Sequence, residues 1–248
     1  MIGAVKWLGR LAEYGYYATL ALEAGVPPRL LPTLRSAANL INALSRMDLK
    51  SPVRIVDIGA HRGEWAMVCA KLFPKAEILS LEPVPEYFRN ARARASRFPR
   101  WQVVCAAAGR ERGTLPLEVR GQRSSLKRIA GAEFAEWVSG TTPSEGIQSV
   151  EVDTLDALLG RQGFSPVDLL KIDAEGYERE ILVGASNTLK HTKQILIEVR
   201  FYELFEGGPS FWEVHEMLGA QGFALMHLKP CKGQCLWADA TYARPGGH

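Results

Sequence analysis

Two short strings hold the residue types from which chemistry can be built. The first is Val56-Asp57-Ile58-Gly59-Ala60-His61-Arg62-Gly63, where an apolar run meets the start of a helical pattern. Its glycines carry no Cβ and let a ligand approach the backbone closely. About twenty residues further on, Glu82 closes the next apolar run in Leu81-Glu82-Pro83, the position from which a carboxylate can accept both hydroxyls of an adenosine ribose. Together these signals point to a nucleoside ligand. A dinucleotide is disfavoured, because a fingerprint starting at Gly59 needs glycine at positions now held by His61 and Glu64, and an acid at a helix N-terminus repels a pyrophosphate. No Walker pattern occurs either. S-adenosylmethionine has no phosphate and carries a sulfonium, an amino group and a carboxylate, so a loop of Asp57 and glycine amides suits it better.

The second string, Asp168-Leu169-Leu170-Lys171-Ile172-Asp173-Ala174-Glu175-Gly176-Tyr177-Glu178, puts Asp173 at the carboxyl end of a buried strand, where open α/β sheets bind ligands. Strand alternation places Lys171 and Asp173 on one face, which also permits an ion pair within the sheet. Glu198 ends the next strand inside Ile195-Leu196-Ile197-Glu198-Val199, and a charge there is costly unless it faces a cleft. Methyl transfer is an in-line displacement at a sulfonium, so alignment of the acceptor is the main requirement. A hydroxyl acceptor also needs a base or a metal, and Asp173, Glu175 and Glu198 are the carboxylates at the mouth. Asp173 and Glu198 are the expected catalytic pair; the alternative for Asp173 is to hold the cofactor's amino group or to pair with Lys171. Two acids at neighbouring strand ends could hold Mg²⁺, but no third protein ligand announces itself, and no metal is expected.

The elements that must position these groups follow from periodicity. Short apolar runs alternate with helical stretches from Pro52 onward, the pattern of an α/β sheet with helices on both faces. Strands are predicted at Val53–Ile58, Glu77–Leu81, Gln102–Ala107, Val167–Ile172 and Gln194–Val199. Helices are predicted at Glu64–Phe73, Pro85–Phe98, Thr154–Leu159, Tyr177–Ala185 and Pro209–Gln221. Gly113 to Val152 breaks the rhythm and reads as an insertion with strands at Leu115–Val119 and Gln148–Val152. Its loop, Gly121 to Gly146, is expected to border the acceptor, with Arg123-Ser124-Ser125 either contacting substrate hydroxyls or forming a turn. Strands at Ala224–Leu228 and Gln234–Ala238 close the chain as an antiparallel hairpin. Residues 1–50 read as a separate helical extension ahead of a main domain at 51–248. Its aromatic residues Trp7, Tyr14, Tyr16 and Tyr17 pack on that domain or serve a homodimer contact or lid.

Composition limits the partners. The 248 residues carry 30 Lys+Arg against 27 Asp+Glu, a balance without the basic field of a nucleic-acid binder. No apolar run is long enough to span a membrane. Four scattered cysteines, with Cys231 and Cys235 forming no C-x-x-C pair, suggest a reducing compartment and a cytoplasmic location.

The set VDIGAHRG, LEP, VDTLD at Val152 to Asp156, LLKIDAEGYE and LIEV resembles the FkbM family of S-adenosylmethionine-dependent methyltransferases, over roughly Val53 to Arg200. The glycine loop is common to all such enzymes, whereas the LKID-EG-E string with TLD upstream is specific to this family. One departure is His61, where the family more often has Asn. The resemblance implies a Rossmann-like class I methyltransferase sheet ending in the hairpin. It also implies an O-methyltransferase acting on a small-molecule or glycan hydroxyl, of a sugar, lipid or natural product. The expected cofactor-binding set is Asp57, Gly59, Ala60, His61, Gly63, Glu82, Ala107 and Asp173. Two other readings compete. An N-methyltransferase for RNA or protein is weakened by the missing Asn/Asp-Pro-Pro-aromatic string, and a non-catalytic binding module would require a cleft too closed for an acceptor.

Overall fold

A computed structural model describes residues 54–131, 134, 136, 142–230 and 236–245. The expected N-terminal extension and its dimer contact, Val53, parts of the insertion loop and the Cys231–Cys235 turn lie outside the described residues.

Strands β1 (Arg54–Ile58), β2 (Glu77–Leu81), β3 (Trp101–Val104), β7 (Val167–Ile172), β8 (Thr192–Arg200), β9 (Ala224–Pro230) and β10 (Trp237–Ala243) form one sheet, in the order β3-β2-β1-β7-β8-β10-β9. The first five in that order run parallel, and β10 is antiparallel to both neighbours. The strand order reverses between β1 and β7, so the crevice at their carboxyl ends is the place where such sheets bind ligands. Alternation sorts the side chains. Val56, Ile58, Leu170, Ile172, Ile195 and Ile197 face one core, whereas Ile55, Leu169 and Leu196 face the other.

Helices α1 (Glu64–Leu72) and α2 (Pro85–Ala95) connect the first strands. The core on the Ile55 side takes Ala66, Val68, Cys69 and Ala95 from these two helices. Helices α3 (Leu155–Gln162), α4 (Glu178–Val183), α5 (Ser186–Lys190) and α6 (Phe211–Ala220) contribute to the opposite core. The second helix ends at Ala95 rather than Phe98, and the final strand runs Trp237–Ala243, further along than its apolar pattern suggested.

Two expectations are corrected. The predicted strand Gln102–Ala107 is two strands, because the chain leaves the large sheet after Val104. Ala107–Gly109 (β4) then pairs with β6 (Gly146–Thr154), itself antiparallel to β5 (Gly113–Val119), in a separate three-stranded sheet. The insertion is thus a small sheet, fastened by Leu117, Val119 and Val150 packing on Val84 and Tyr87. The predicted helix Tyr177–Ala185 breaks at Gly184, where a Cβ would lie 1.9 Å from the carbonyl oxygen of Gly109. The chain restarts as α5, whose first amides are capped from another helix: the Asp156 carboxylate accepts from Asn187 N (2.8 Å) and Thr188 N (2.6 Å). Thr154 caps its own helix by accepting from Ala157 N at 3.1 Å, and Leu155 between them is fully buried. The Thr-Leu-Asp string is therefore a double cap around a core residue.

Asp57 and Lys171 are opposite each other in the β1–β7 register and both are buried. Lys171 Nζ lies 3.1 Å from Asp57 Oδ1 and 3.5 Å from Asp173 Oδ2. Burial disfavours the ammonium, but the two carboxylates outweigh it and hold Lys171 charged above its ordinary range. Removing one partner of a buried pair leaves an uncompensated charge. Lys171→Met should therefore lose about 3 to 5 kcal/mol of stability, read as a lower urea midpoint at unchanged slope.

Candidate active site

The loop from β1 to α1 is built on close approach. A Cβ on Gly59 (φ +74°) would stand 1.8 Å from the carbonyl oxygen of Asp173, so only glycine lets β1 and β7 end side by side. Gly59 N and Ala60 N both donate to Leu81 O at 3.1 Å, and Asp173 N donates to Ile58 O at 3.2 Å. Three strand ends are thereby tied together. Gly63 (φ +80°) serves packing, since its missing Cβ leaves room for the Trp101 ring.

Glu82 is almost fully buried and accepts backbone hydrogen bonds on both oxygens, from His61 N at 2.7 Å and Val84 N at 2.9 Å. Burial pushes its carboxyl up to about 7, with those two amides opposing the rise. Each oxygen keeps a second lone pair for a ligand hydroxyl. His61 adopts φ 50°, packs tilted against Tyr87 at 4.4 Å between centroids, and leaves both buried ring nitrogens without a hydrogen bond. Burial lowers its pKa against the pull of Glu64, which favours a neutral ring.

These groups line a cavity at the carboxyl edge of the sheet. Gly59, His61, Glu82, Ala107 and Asp173 are on its wall, as expected from the sequence. Asp57, Ala60 and Gly63 are not: Asp57 lies beneath the loop on Lys171, and burial raises its carboxyl against that lysine's attraction. Glu198 is not on the wall either, but stands behind it, where Arg200 donates to it. Gly121, Gln122 and Ser124 border the cavity, and Ser124 and Ser125 spend their hydroxyls on backbone oxygens of Gly121 (2.7 Å) and Glu175 (2.6 Å).

Ligand-type oxygens of Asp173 and Glu175 on the wall and of Glu198 behind it lie within 4.8 Å of one another. Arg200, buried, supplies a cation to this group: Nη2 donates to Glu175 (2.8 Å) and Glu198, and Nη1 to the buried Glu178 (3.0 Å). Sequence reasoning missed Arg200 and Glu178. Their signal was present, since Arg200 shares a strand face with Glu198 and Glu178 lies in the quoted string. The lining residues suit an adenosyl ligand: a carboxylate with free lone pairs for a ribose, a loop opened by glycine at Gly59, and polar His61 ring nitrogens with no hydrogen bond.

The domain model for the FkbM methyltransferase matches residues 57–225. The chain belongs to the FkbM methyltransferase family. The 2-O-methyltransferase NoeI of Sinorhizobium fredii is 27% identical over 175 residues, 66% of this chain and 70% of that protein. The hexuronic acid methyltransferase AglP of Haloferax volcanii is 24% identical over 188 residues, 75% of this chain and 71% of that protein. Among solved structures, Aeropyrum pernix fibrillarin with natively bound S-adenosyl-L-methionine aligns at TM-score 0.51 and 12% identity, over 84% of this chain and 74% of that one. At that identity the likeness speaks for the fold alone.

Two outcomes are expected of Glu82. Glu82→Ala should weaken binding of S-adenosylhomocysteine by about 1 to 3 kcal/mol in calorimetry. Because its folded-state value of about 7 lies above the ordinary 4.5, the ligand-free fold holds a proton that the unfolded chain releases. That contribution is complete below pH 4.5 and is lost as pH rises through 7, so Glu82→Gln should flatten the fall in melting temperature across this window.

Proposed function

We propose that the protein is an O-methyltransferase that transfers the methyl group of S-adenosylmethionine to a hydroxyl of a sugar or similar polyhydroxylated small molecule. The observation that carries this reading is the continuity of one cavity, from Glu82 at its nucleoside end to the carboxylates at its mouth. Carboxylates are the groups that a hydroxyl nucleophile requires, and they also accept hydrogen bonds from the other hydroxyls of a sugar. The names of NoeI and AglP, a 2-O-methyltransferase and a hexuronic acid methyltransferase, agree with that acceptor class.

In this proposal Gly59, His61, Glu82, Ala107 and Asp173 hold the cofactor, with Asp57, Ala60 and Gly63 shaping the loop. The bound cofactor supplies an electrophilic methyl on a cationic sulfur. Asp173 and Glu198 belong to the carboxylate group that takes up the acceptor's proton, and Lys171 keeps Asp173 oriented. No helix of the described residues is long and apolar enough to cross a membrane. A cytoplasmic location belongs to the same proposal.

A screen of free sugars, uronic acids and sugar glycosides for S-adenosylhomocysteine release tests it. Release is expected with at least one hydroxylated sugar and should vanish when that hydroxyl is replaced by hydrogen. Release only with RNA or protein would overturn the reading.

A further inference from the structure

Only two non-glycine residues among the described ones have positive φ, His61 (50°) and Glu175 (47°), and both are on the wall of the same cavity. A side chain in that backbone region is strained and persists only where its surroundings enforce it. Around Glu175 the enforcement is visible. The buried Ser125 hydroxyl donates to its carbonyl oxygen at 2.6 Å, the next amide, Gly176 N, donates to Glu178 Oε1 at 3.2 Å, and Arg200 Nη2 holds Oε2 at 2.8 Å. No group among the described residues bonds its other oxygen, Oε1.

The two other carboxylates of the group are placed differently. Asp173 is bound to Lys171 and is the most solvent-open of the three, and Glu198 stands behind the wall on Arg200. We propose that Glu175, clamped by Arg200 and Ser125, is the catalytic base of the methyl transfer and that Oε1 takes the acceptor's proton. This rests on the methyltransferase reading above. The acceptor oxygen bonds to the methyl carbon as the carbon–sulfur bond breaks, and that bond's electron pair stays on sulfur, leaving a neutral thioether. The hydroxyl proton passes to Glu175 and then to water. Arg200 and Ser125 are positioning residues.

The electrostatics agree with this division of labour. Glu175 is faced by Arg200 and Glu198 from β8, Asp173 from the end of β7, Glu178 from α4 and Arg123 from the turn. Burial, opposed by Arg200, pushes its carboxyl up to about 7, so it is charged and able to accept a proton above that pH. Burial, opposed by Arg200, drives the Glu198 carboxyl well above the ordinary range, and Glu198 accepts from Arg200 away from the cavity wall.

The test compares the full-length parent with Glu175→Gln, Glu175→Gly and Glu198→Gln, using a sugar acceptor found in the screen. Parent kcat at saturating cofactor and acceptor should rise with pH through about 7 and then level. Glu175→Gln should lower kcat by about 10²- to 10⁴-fold and lose that pH step, while calorimetric affinity for S-adenosylhomocysteine stays at the parent value. Glu198→Gln should keep the step. Glu175→Gly should melt higher than the parent, because glycine relieves the strained φ, yet be as inactive as Glu175→Gln. Parent-like kcat in Glu175→Gln, a pH step that survives it, or loss of cofactor affinity in its place would overturn the inference while leaving the methyltransferase reading intact. A parent inactive on every hydroxyl would overturn both.

Discussion

One buried ammonium organises the site. Lys171 lies under the glycine loop, 3.1 Å from Asp57, 3.5 Å from Asp173 and 3.5 Å from the carbonyl oxygens of Ile58 and Gly59. A charge so enclosed is tolerated only with partners on every open side. The strand end that supplies Asp57 and the strand end that supplies Asp173 are thus held to one centre. The close passage of Gly59 over the Asp173 carbonyl follows from that attachment, and so does the crevice itself. Asp57 reaches sideways as well: Ser80 Oγ donates to it at 3.4 Å and receives Trp101 Nε1 at 2.9 Å, which extends the link across β2 to β3.

The mouth shows the opposite balance. Glu175, Glu178 and Glu198 converge on the guanidinium of Arg200, three carboxyl groups around one cation. Burial has driven both Glu175 and Glu198 upward, and Glu82 at the other end of the cavity shares that condition. Such arrangements are costly in the ligand-free protein and recur where a site must receive a cation or a proton. The fold tolerates the cost because the surrounding strands are packed on both faces.

The small sheet gives the cavity its far wall. Leu117, Gly121, Gln122, Ser124 and Leu126 border it, and the cluster of Val84, Tyr87, Leu117, Val119 and Val150 anchors that wall to the start of α2. Ser125 carries the attachment to the loop after β7 through the Glu175 carbonyl. The serine that periodicity left divided between substrate contact and turn thus acts on the backbone of the neighbouring acid.

The sequence by itself determined the parallel core, the glycine loop, the acid after the second strand and the string around Asp173. Each of these is local: alternation, a missing Cβ and a fixed spacing are properties of a few consecutive residues. It also read the Thr-Leu-Asp string as a family mark without its physics, because Asp156 caps a helix about thirty residues away. The split of the third strand and the break at Gly184 were invisible for the same reason, since each depends on what packs alongside: β6 in one case, the Gly109 carbonyl in the other. Only the tertiary structure decided which acids face the cavity. Asp57 and Glu198 look from their spacing as available as Glu175, but Lys171 draws the first beneath the loop and Arg200 holds the second behind the wall. The pairing of Lys171 with Asp57 joins two strands more than a hundred residues apart in the chain, and no local pattern encodes that choice.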